Sequence, residues 1–295
     1  MSAAHPPAKL TKLAKPTNPA FAKMQACGND FIVMDDRAEQ FAGLESALAQ
    51  RLCQPHLGIG ADGLLLLRKG DAADHFGMVF VNANGLIGEM CGNGARCLAA
   101  FIHRAALATQ ALVLQTEIGP VPVHFENTDK ILLDLPAAGP IRRNITIDWQ
   151  GQNWQFEAVE VGVPHAVIFL PSVAALEQLP VEALGQHVCH HRAFAPRQTN
   201  VNFVAQQGGR LRLRTYERGV EAETLGCGTG ATAAALLAHQ HFALPWPIEV
   251  VTRSGETLQI DFESASGLLK LSGGAHFIAS GYIEADLLND LQHQL

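Results

Sequence analysis

Met90-Cys91-Gly92-Asn93-Gly94-Ala95-Arg96-Cys97-Leu98-Ala99-Ala100 and Gly226-Cys227-Gly228-Thr229-Gly230-Ala231-Thr232-Ala233-Ala234-Ala235-Leu236 are two versions of one stretch. Each is a Cys-Gly-x-Gly-Ala turn running into an Ala-rich segment that reads as a helix. The cysteines stand 136 positions apart, at 91 and 227. Working outward, Thr116 and Thr252 share that offset, as do Gly119 and Gly255, and Phe80-Val81-Asn82 falls on Tyr216-Glu217-Arg218. Agreement of strand, turn, helix and hairpin at a single offset marks an internal duplication.

The flanking patterns are mostly those of strands. Apolar runs bounded by turn residues predict strands at 31–34, 64–67, 76–81, 111–116, 121–125 and 131–135 in the first half. In the second half they predict strands at 153–161, 165–170, 200–205, 210–216, 247–252, 257–262, 268–271 and 276–283. Helical patterns cover 44–53, 174–190 and the tail 284–295, besides the two helices that follow the cysteines. The fold class expected is α+β. It comprises two pseudo-symmetric tandem domains, each a mainly antiparallel sheet wrapped around a central helix, with an active site in the cleft between them. The first domain is expected over 21–138, completed by 275–295, and the second over 139–274. Residues 1–20, with four prolines, three lysines and no acidic residue, read as a disordered extension.

Composition narrows the function. A net charge of -7 gives a nucleic-acid partner no electrostatic support. No apolar run approaches the ~20 residues of a membrane span, and no apolar core of a secretory signal is seen. Six cysteines at irregular spacings in 295 residues do not resemble a disulfide framework, so reduced thiols and a cytoplasmic location are expected.

The two turns carry the chemistry. Glycine lets the backbone approach a ligand closely, and the first N–H groups of a helix have no intrahelical partner. Such an end binds anions and favours a thiolate, which predicts a lowered cysteine pKa. If the halves face each other, a carboxylate in the cleft accepts N–H bonds from both sides while two sulfurs flank its α-carbon. That arrangement suits cofactor-free inversion at an amino-acid α-carbon. One thiolate removes the α-proton, the opposite thiol delivers a proton to the other face, and the helix ends stabilise the charge growing on the carboxylate.

The chain resembles the diaminopimelate epimerases, a family of amino-acid racemases that work without pyridoxal phosphate. The resemblance rests on Lys23-Met24-Gln25-Ala26-Cys27-Gly28-Asn29-Asp30-Phe31, on Gly58–Gly63 and on the Met90–Cys97 block. It continues through Glu217-Arg218-Gly219 and Glu223-Thr224-Leu225-Gly226-Cys227-Gly228-Thr229-Gly230. It implies epimerisation between LL- and meso-diaminopimelate, in lysine and peptidoglycan precursor synthesis, with Cys91 and Cys227 as the acid/base pair and no cofactor or metal. It also implies that Asn82, Asn200, Glu217 and Arg218 hold the distal end of the substrate. Asn29 then lies near the reacting centre, and Gly92, Asn93, Gly228 and Thr229 donate to the reacting carboxylate. The residue types agree, since Arg218 can grip a carboxylate bidentately and Glu217 can pair with an ammonium. The chain departs from the family where Val163 replaces an Asn before Pro164-His165, where Asn84-Gly85-Leu86-Ile87 replaces a segment with Asp-Gly-Ser, and where Gly273-Gly274-Ala275 replaces Gly-Pro-Ala.

Other readings carry less. A racemase of another amino acid, such as histidine, uses the same scaffold, and a silent binding protein would keep the thiols apart. A homodimer is left open. Cys97, six residues beyond Cys91, faces the core, and Cys27, Cys53 and Cys189 have no twin. His187-x-Cys189-His190-His191 is too tightly spaced for a structural zinc site. Leu225–Gly230 mimics a nucleotide-binding glycine loop, but it follows polar residues instead of an apolar strand and has a cysteine-bearing twin.

Overall fold

A helix that is apolar all round belongs inside a protein, and small side chains let its surroundings close in. Both cysteine-led helices meet that condition over most of their length, apart from Arg96 and their polar last turns. In the computed structural model, which describes residues 18–127 and 130–292, they are the axes of the two domains. The expected extension lies outside the described residues except at its end, where Ala20 opens the first strand.

The first half runs β1 (Ala20–Ala26), β2 (Asn29–Asp35), α1 (Glu45–Leu52), β3 (Gly63–Lys69), β4 (His75–Asn82), α2 (Gly92–Arg104), β5 (Ala111–Thr116), β6 (Gly119–Asn127) and β7 (Lys130–Leu135). The second half opens with β8 (Arg142–Trp149), β9 (Gln152–Val161), β10 (Val163–Leu170), α3 (Val173–Glu177) and α4 (Val181–Cys189). It continues with β11 (Asn200–Gln207), β12 (Arg210–Glu217), β13 (Ala222–Thr224), α5 (Gly228–Phe242), β14 (Ile248–Val251), β15 (Thr257–Glu263) and β16 (Leu268–Gly273). The chain ends with β17 (His276–Tyr282) and α6 (Ala285–Gln292).

Strand pairing repeats from half to half. The first sheet has the order β17-β1-β2-β3-β4-β5-β6-β7, and the second β8-β9-β10-β11-β12-β14-β15-β16, with β13 added beside β12. Pairs β2–β3 and β4–β5 are parallel, as are their counterparts β10–β11 and β12–β14. The other pairs are antiparallel. The halves are not separate sheets, because β7 pairs antiparallel with β16. In that pair Asp134 faces Lys270, a residue 136 positions later, so the pseudo-twofold relating the cysteines passes through this ladder.

Sheet wraps each central helix. Ten residues of α2 and ten of α5 are buried, and Ala95, Ala99, Ala231, Ala234 and Ala235 sit in one apolar cluster with Leu65, Leu133, Val204 and Leu271. The outer faces are covered separately. Leu48, Ala49 and Leu52 of α1 pack on Ile32, Met34, Leu64 and Leu66 together with Leu288 of α6. Leu184 and Val188 of α4 pack on Phe156, Phe203 and Tyr216.

Three strands escape the sequence patterns. In β1, Ala22, Met24 and Ala26 alternate inward, but small residues give little strand signal. In β8 only Ile147 is buried, so no apolar period exists to read. The three-residue β13 is too short to have one. The expected helix over 174–190 is two helices, because Pro180 lacks the N–H a continuing helix needs and instead precedes the first turn of α4.

The domains meet at the starts of α2 and α5. A Cβ on Gly92 would lie 3.9 Å from the Cα of Gly228, and one on Gly228 would lie 2.9 Å from Cδ2 of Leu271. A side chain at 228 would have to displace Leu271. Leu271 is fully buried beneath both glycines. Leu271→Ala should therefore lower stability by about 2–5 kcal/mol, read as a lower urea midpoint at constant slope. A loss under ~1 kcal/mol would show that the helix ends do not depend on this support.

Candidate active site

Cys91 and Cys227 occupy the same structural position. Each is the N-cap of its helix, with φ, ψ of -132°, 110° and -115°, 113°, and each sulfur accepts a hydrogen bond from the N–H three residues on, Gly94 or Gly230, at 3.4 Å. This is the Ser/Thr/Asn/Asp capping role performed by sulfur. The remaining first-turn N–H groups beside the sulfurs belong to Gly92 and Asn93, and to Gly228 and Thr229, and that of Asn93 also acts on the Cys91 sulfur. Because the two helix starts abut, these donors belong to a single cleft.

The partners of the two sulfurs differ. The Cys91 thiol donates to Oδ1 of Asn29 at 3.5 Å, and Asn29 in turn donates Nδ2 to Asp62 at 2.8 Å. A carboxylate accepts only, so Asp62 forces the amide oxygen toward Cys91. Cys227 lies 3.6 Å from the Thr229 hydroxyl and feels the charge of the Glu217 carboxylate, which accepts from Thr224 at 2.6 Å. The Glu217 charge acts on both thiols.

Burial outweighs the helix ends in setting the thiol pKa values. Desolvation pushes Cys91 up to about 11, against the lowering effect of the Gly94 N–H. It raises Cys227 well above the usual range, with the Glu217 charge adding to the effect. The lowered cysteine pKa expected from the turns does not hold in the ligand-free cleft, where both thiols carry protons at neutral pH. Burial also raises Glu217 above the ordinary carboxylate range, opposed by the Thr224 hydroxyl.

The remaining candidates lie along the cleft, with their groups partly engaged. Asn82 ends β4 and donates Nδ2 to the Leu86 carbonyl at 3.1 Å. Asn200 begins β11 and accepts the Arg218 N–H at 2.9 Å. The Arg218 guanidinium donates to the Arg197 carbonyl at 2.7 Å, and Glu89 of the first domain reaches it at 3.5 Å. Asn93 has its side-chain amide engaged. Its side chain bridges the domains, donating Nδ2 to the Gly226 carbonyl at 2.7 Å and accepting from Arg96 at 2.8 Å. Only its backbone N–H can serve a ligand. Val163 is nearly buried.

Three residues were not singled out from the sequence. Asp62 and Glu89 lie in turns without a periodic pattern. Arg96 carried a legible signal, a lone charge in the apolar run 95–102. Cys27, Cys53, Cys97 and Cys189 are buried. Among the described residues, Cys189, His190 and Glu221 come within metal-ligating distance of one another. Both ring nitrogens of His190 are occupied there, by Glu221 at 2.6 Å and Gln198 at 2.8 Å.

The raised thiol has a measurable consequence. Alkylation of Cys91 by iodoacetamide follows its thiolate, so below the pKa the rate should rise about tenfold per pH unit. At pH 7.5 it should run roughly two orders of magnitude slower than for a free cysteine of pKa about 8.5. A plateau below pH 9 would show that the helix end prevails over burial.

Comparison with known proteins agrees with this geometry. The profile of the diaminopimelate epimerase family matches residues 21–138 and 157–274, one segment in each domain. The diaminopimelate epimerase of Hydrogenobaculum sp. is 37% identical over 252 residues, covering 82% of this chain and 91% of its own. That of Aquifex aeolicus is 37% identical over 283 residues, covering 91% and 99%. Among solved structures, a PhzF-family phenazine biosynthesis protein of Bacillus anthracis superposes with a TM-score of 0.73 at 12% identity, covering 91% of this chain and all of its own. A hydroxyproline epimerase of Agrobacterium vitis superposes at 0.68 with 14% identity, covering 91% of each chain. At such identities these two share the fold alone. The profile match in both domains and the relatives matched over most of their length establish that the chain belongs to the diaminopimelate epimerase family.

Proposed function

We propose that the protein is an isomerase that interconverts LL- and meso-diaminopimelate, with Cys91 and Cys227 exchanging protons at the substrate α-carbon. The observation that carries this reading is the placement of two cysteines as matching N-caps of abutting helices, in a chain whose relatives bear that activity in their names. The names of these relatives do not favour a racemase of histidine or another amino acid; a place in lysine and peptidoglycan precursor synthesis is part of the same proposal. No helix among the described residues is long and apolar enough to cross a membrane, and the cysteines are free, which fits a cytoplasmic enzyme.

The substrate's reacting carboxylate lies between the helix ends and accepts N–H bonds from Gly92 and Asn93 on one side and Gly228 and Thr229 on the other. One sulfur must act as a thiolate. Glu217, whose charge acts on both thiols, is the base assigned to this step, and burial has raised its pKa toward that task. The substrate ammonium brings a positive charge beside Glu217 and offsets its effect on the thiols. The thiolate then takes the α-proton: the C–H bond breaks, an S–H bond forms, and the electron pair spreads into the carboxylate. The helix ends are aimed where this charge develops. The opposite thiol gives its proton to the other face, forming the inverted C–H bond and leaving a thiolate. The reverse reaction exchanges the two roles. Asn82, Asn200 and Arg218 hold the distal amino-acid end, with Arg218 exchanging Glu89 for the substrate carboxylate; Glu217, expected with them, is assigned to the reacting end because its charge acts on both thiols.

Incubation with LL-diaminopimelate in heavy water should place deuterium at the α-carbon and yield the meso isomer, followed by mass spectrometry and chiral chromatography. No exchange with this substrate, but exchange with another amino acid, would overturn the substrate assignment. Cys91→Ala and Cys227→Ala should each lower epimerisation kcat by more than about 10³-fold while leaving the thermal midpoint within a few degrees. Retention of a tenth of the activity by either variant would rule out the two-base scheme.

A further inference from the structure

Arg96 is the bulkiest of the fully buried side chains. Its Nε donates to the Gly274 carbonyl at 3.2 Å, Nη1 to the Gly92 carbonyl at 3.1 Å, and Nη2 to Asn93 Oδ1 at 2.8 Å and Cys27 Sγ at 3.5 Å. All four acceptors are neutral, since burial keeps the Cys27 thiol protonated. Among the described residues no carboxylate lies within the 4.0 Å of an ion pair. Glu256 is turned to the backbone N–H of Cys27 at 3.1 Å and to Gln25 at 3.0 Å. A buried cation without an anionic partner is costly, and an arginine cannot shed its proton to escape that cost. The hydrogen bonds explain the fork but leave the charge without a counterpart.

The position of that charge supplies one. Nη1 is bonded to the first residue of α2 and would lie 3.6 Å from a Cβ on Gly228, the first residue of α5. The guanidinium therefore sits at the joint base of the two helix ends. We propose that Arg96 is a positioning residue whose permanent charge complements the reacting carboxylate of the substrate as negative charge grows on it. The anion missing from the protein is the one the cleft receives. The same charge favours thiolate at Cys91, so it assists both the base and the carboxylate. This inference rests on the epimerase reading above. A purely structural alternative is that Arg96 only ties α2, through Asn93, to Gly226 and Gly274.

Arg96→Lys and Arg96→Gln in the full chain separate the two. Both break the fork and should lower the thermal midpoint alike. If the charge matters, R96K keeps epimerisation kcat within about tenfold while R96Q loses about 10²–10³-fold, with KM changed less than about fivefold in each. Equal losses in two folded variants would overturn the proposal, as would a loss beyond about 10²-fold in folded R96K should R96Q fail to fold. A readout independent of substrate is the ratio of Cys91 alkylation by anionic iodoacetate to that by neutral iodoacetamide. In the wild-type chain it should exceed the free-cysteine ratio by about tenfold or more, and in R96Q it should fall toward it. A wild-type ratio at or below that of free cysteine would overturn the proposal even where both variants unfold. Failure of epimerisation with a raised ratio would count against the substrate assignment and leave the charge in place.

Discussion

The contact between the first residues of α2 and α5 is the constraint on which the rest of the molecule depends. Two helix N-termini repel, since each carries partial positive charge and unsatisfied N–H groups. Here they are held against each other because each helix is the apolar axis of a sheet, and the sheets are joined through the β7–β16 ladder. Gly92 and Gly228 remove the side chains that would part them, and Leu271 fills the space beneath. The arrangement becomes favourable when an anion sits between the termini. Fold and site are thus one construction, with the sheets supplying the force that keeps an anion-seeking cleft assembled.

Within that cleft the charge balance is fine. Burial raises both thiols and Glu217, which suppresses thiolate while the cleft is empty. The helix ends and Arg96 act in the opposite sense. Asp62 fixes the Asn29 oxygen toward the Cys91 proton, whereas Cys227 faces a carboxylate and a hydroxyl. The duplication made the two caps alike in backbone, and their neighbours made them unlike in proton affinity. A reaction that must run in both directions can use two such halves, provided that the substrate's ammonium and carboxylate bring the affinities closer together.

Much of this was legible in the amino-acid order. The Cys-Gly-x-Gly-Ala turn appears twice at an offset that also governs the β7–β16 ladder, so the duplication, the helices and most strands could be read from spacing and apolar period. What escaped did so for physical reasons. Strand β8 is held by its backbone ladder with β9 and exposes most of its side chains, so it leaves no pattern. The bridge from the Asn93 side chain to Gly226 leaves no pattern either, because the two residues meet only in the folded chain. The raised thiol pKa is not legible in the sequence because helix position is a local property, while desolvation depends on how closely the domains close around the sulfur.

The sequence by itself determined the kind of chemistry: two sulfurs, each at a glycine-opened helix start, in two related halves. Those are features of residue type and spacing, which local backbone physics converts into N-caps. Only the tertiary structure decided that the two starts touch, that burial prevails over the helix ends, and that Arg96 lies beneath them without a carboxylate partner. Electrostatic effects depend on distance and on exclusion of water, and neither is defined until chain segments more than a hundred residues apart have packed together.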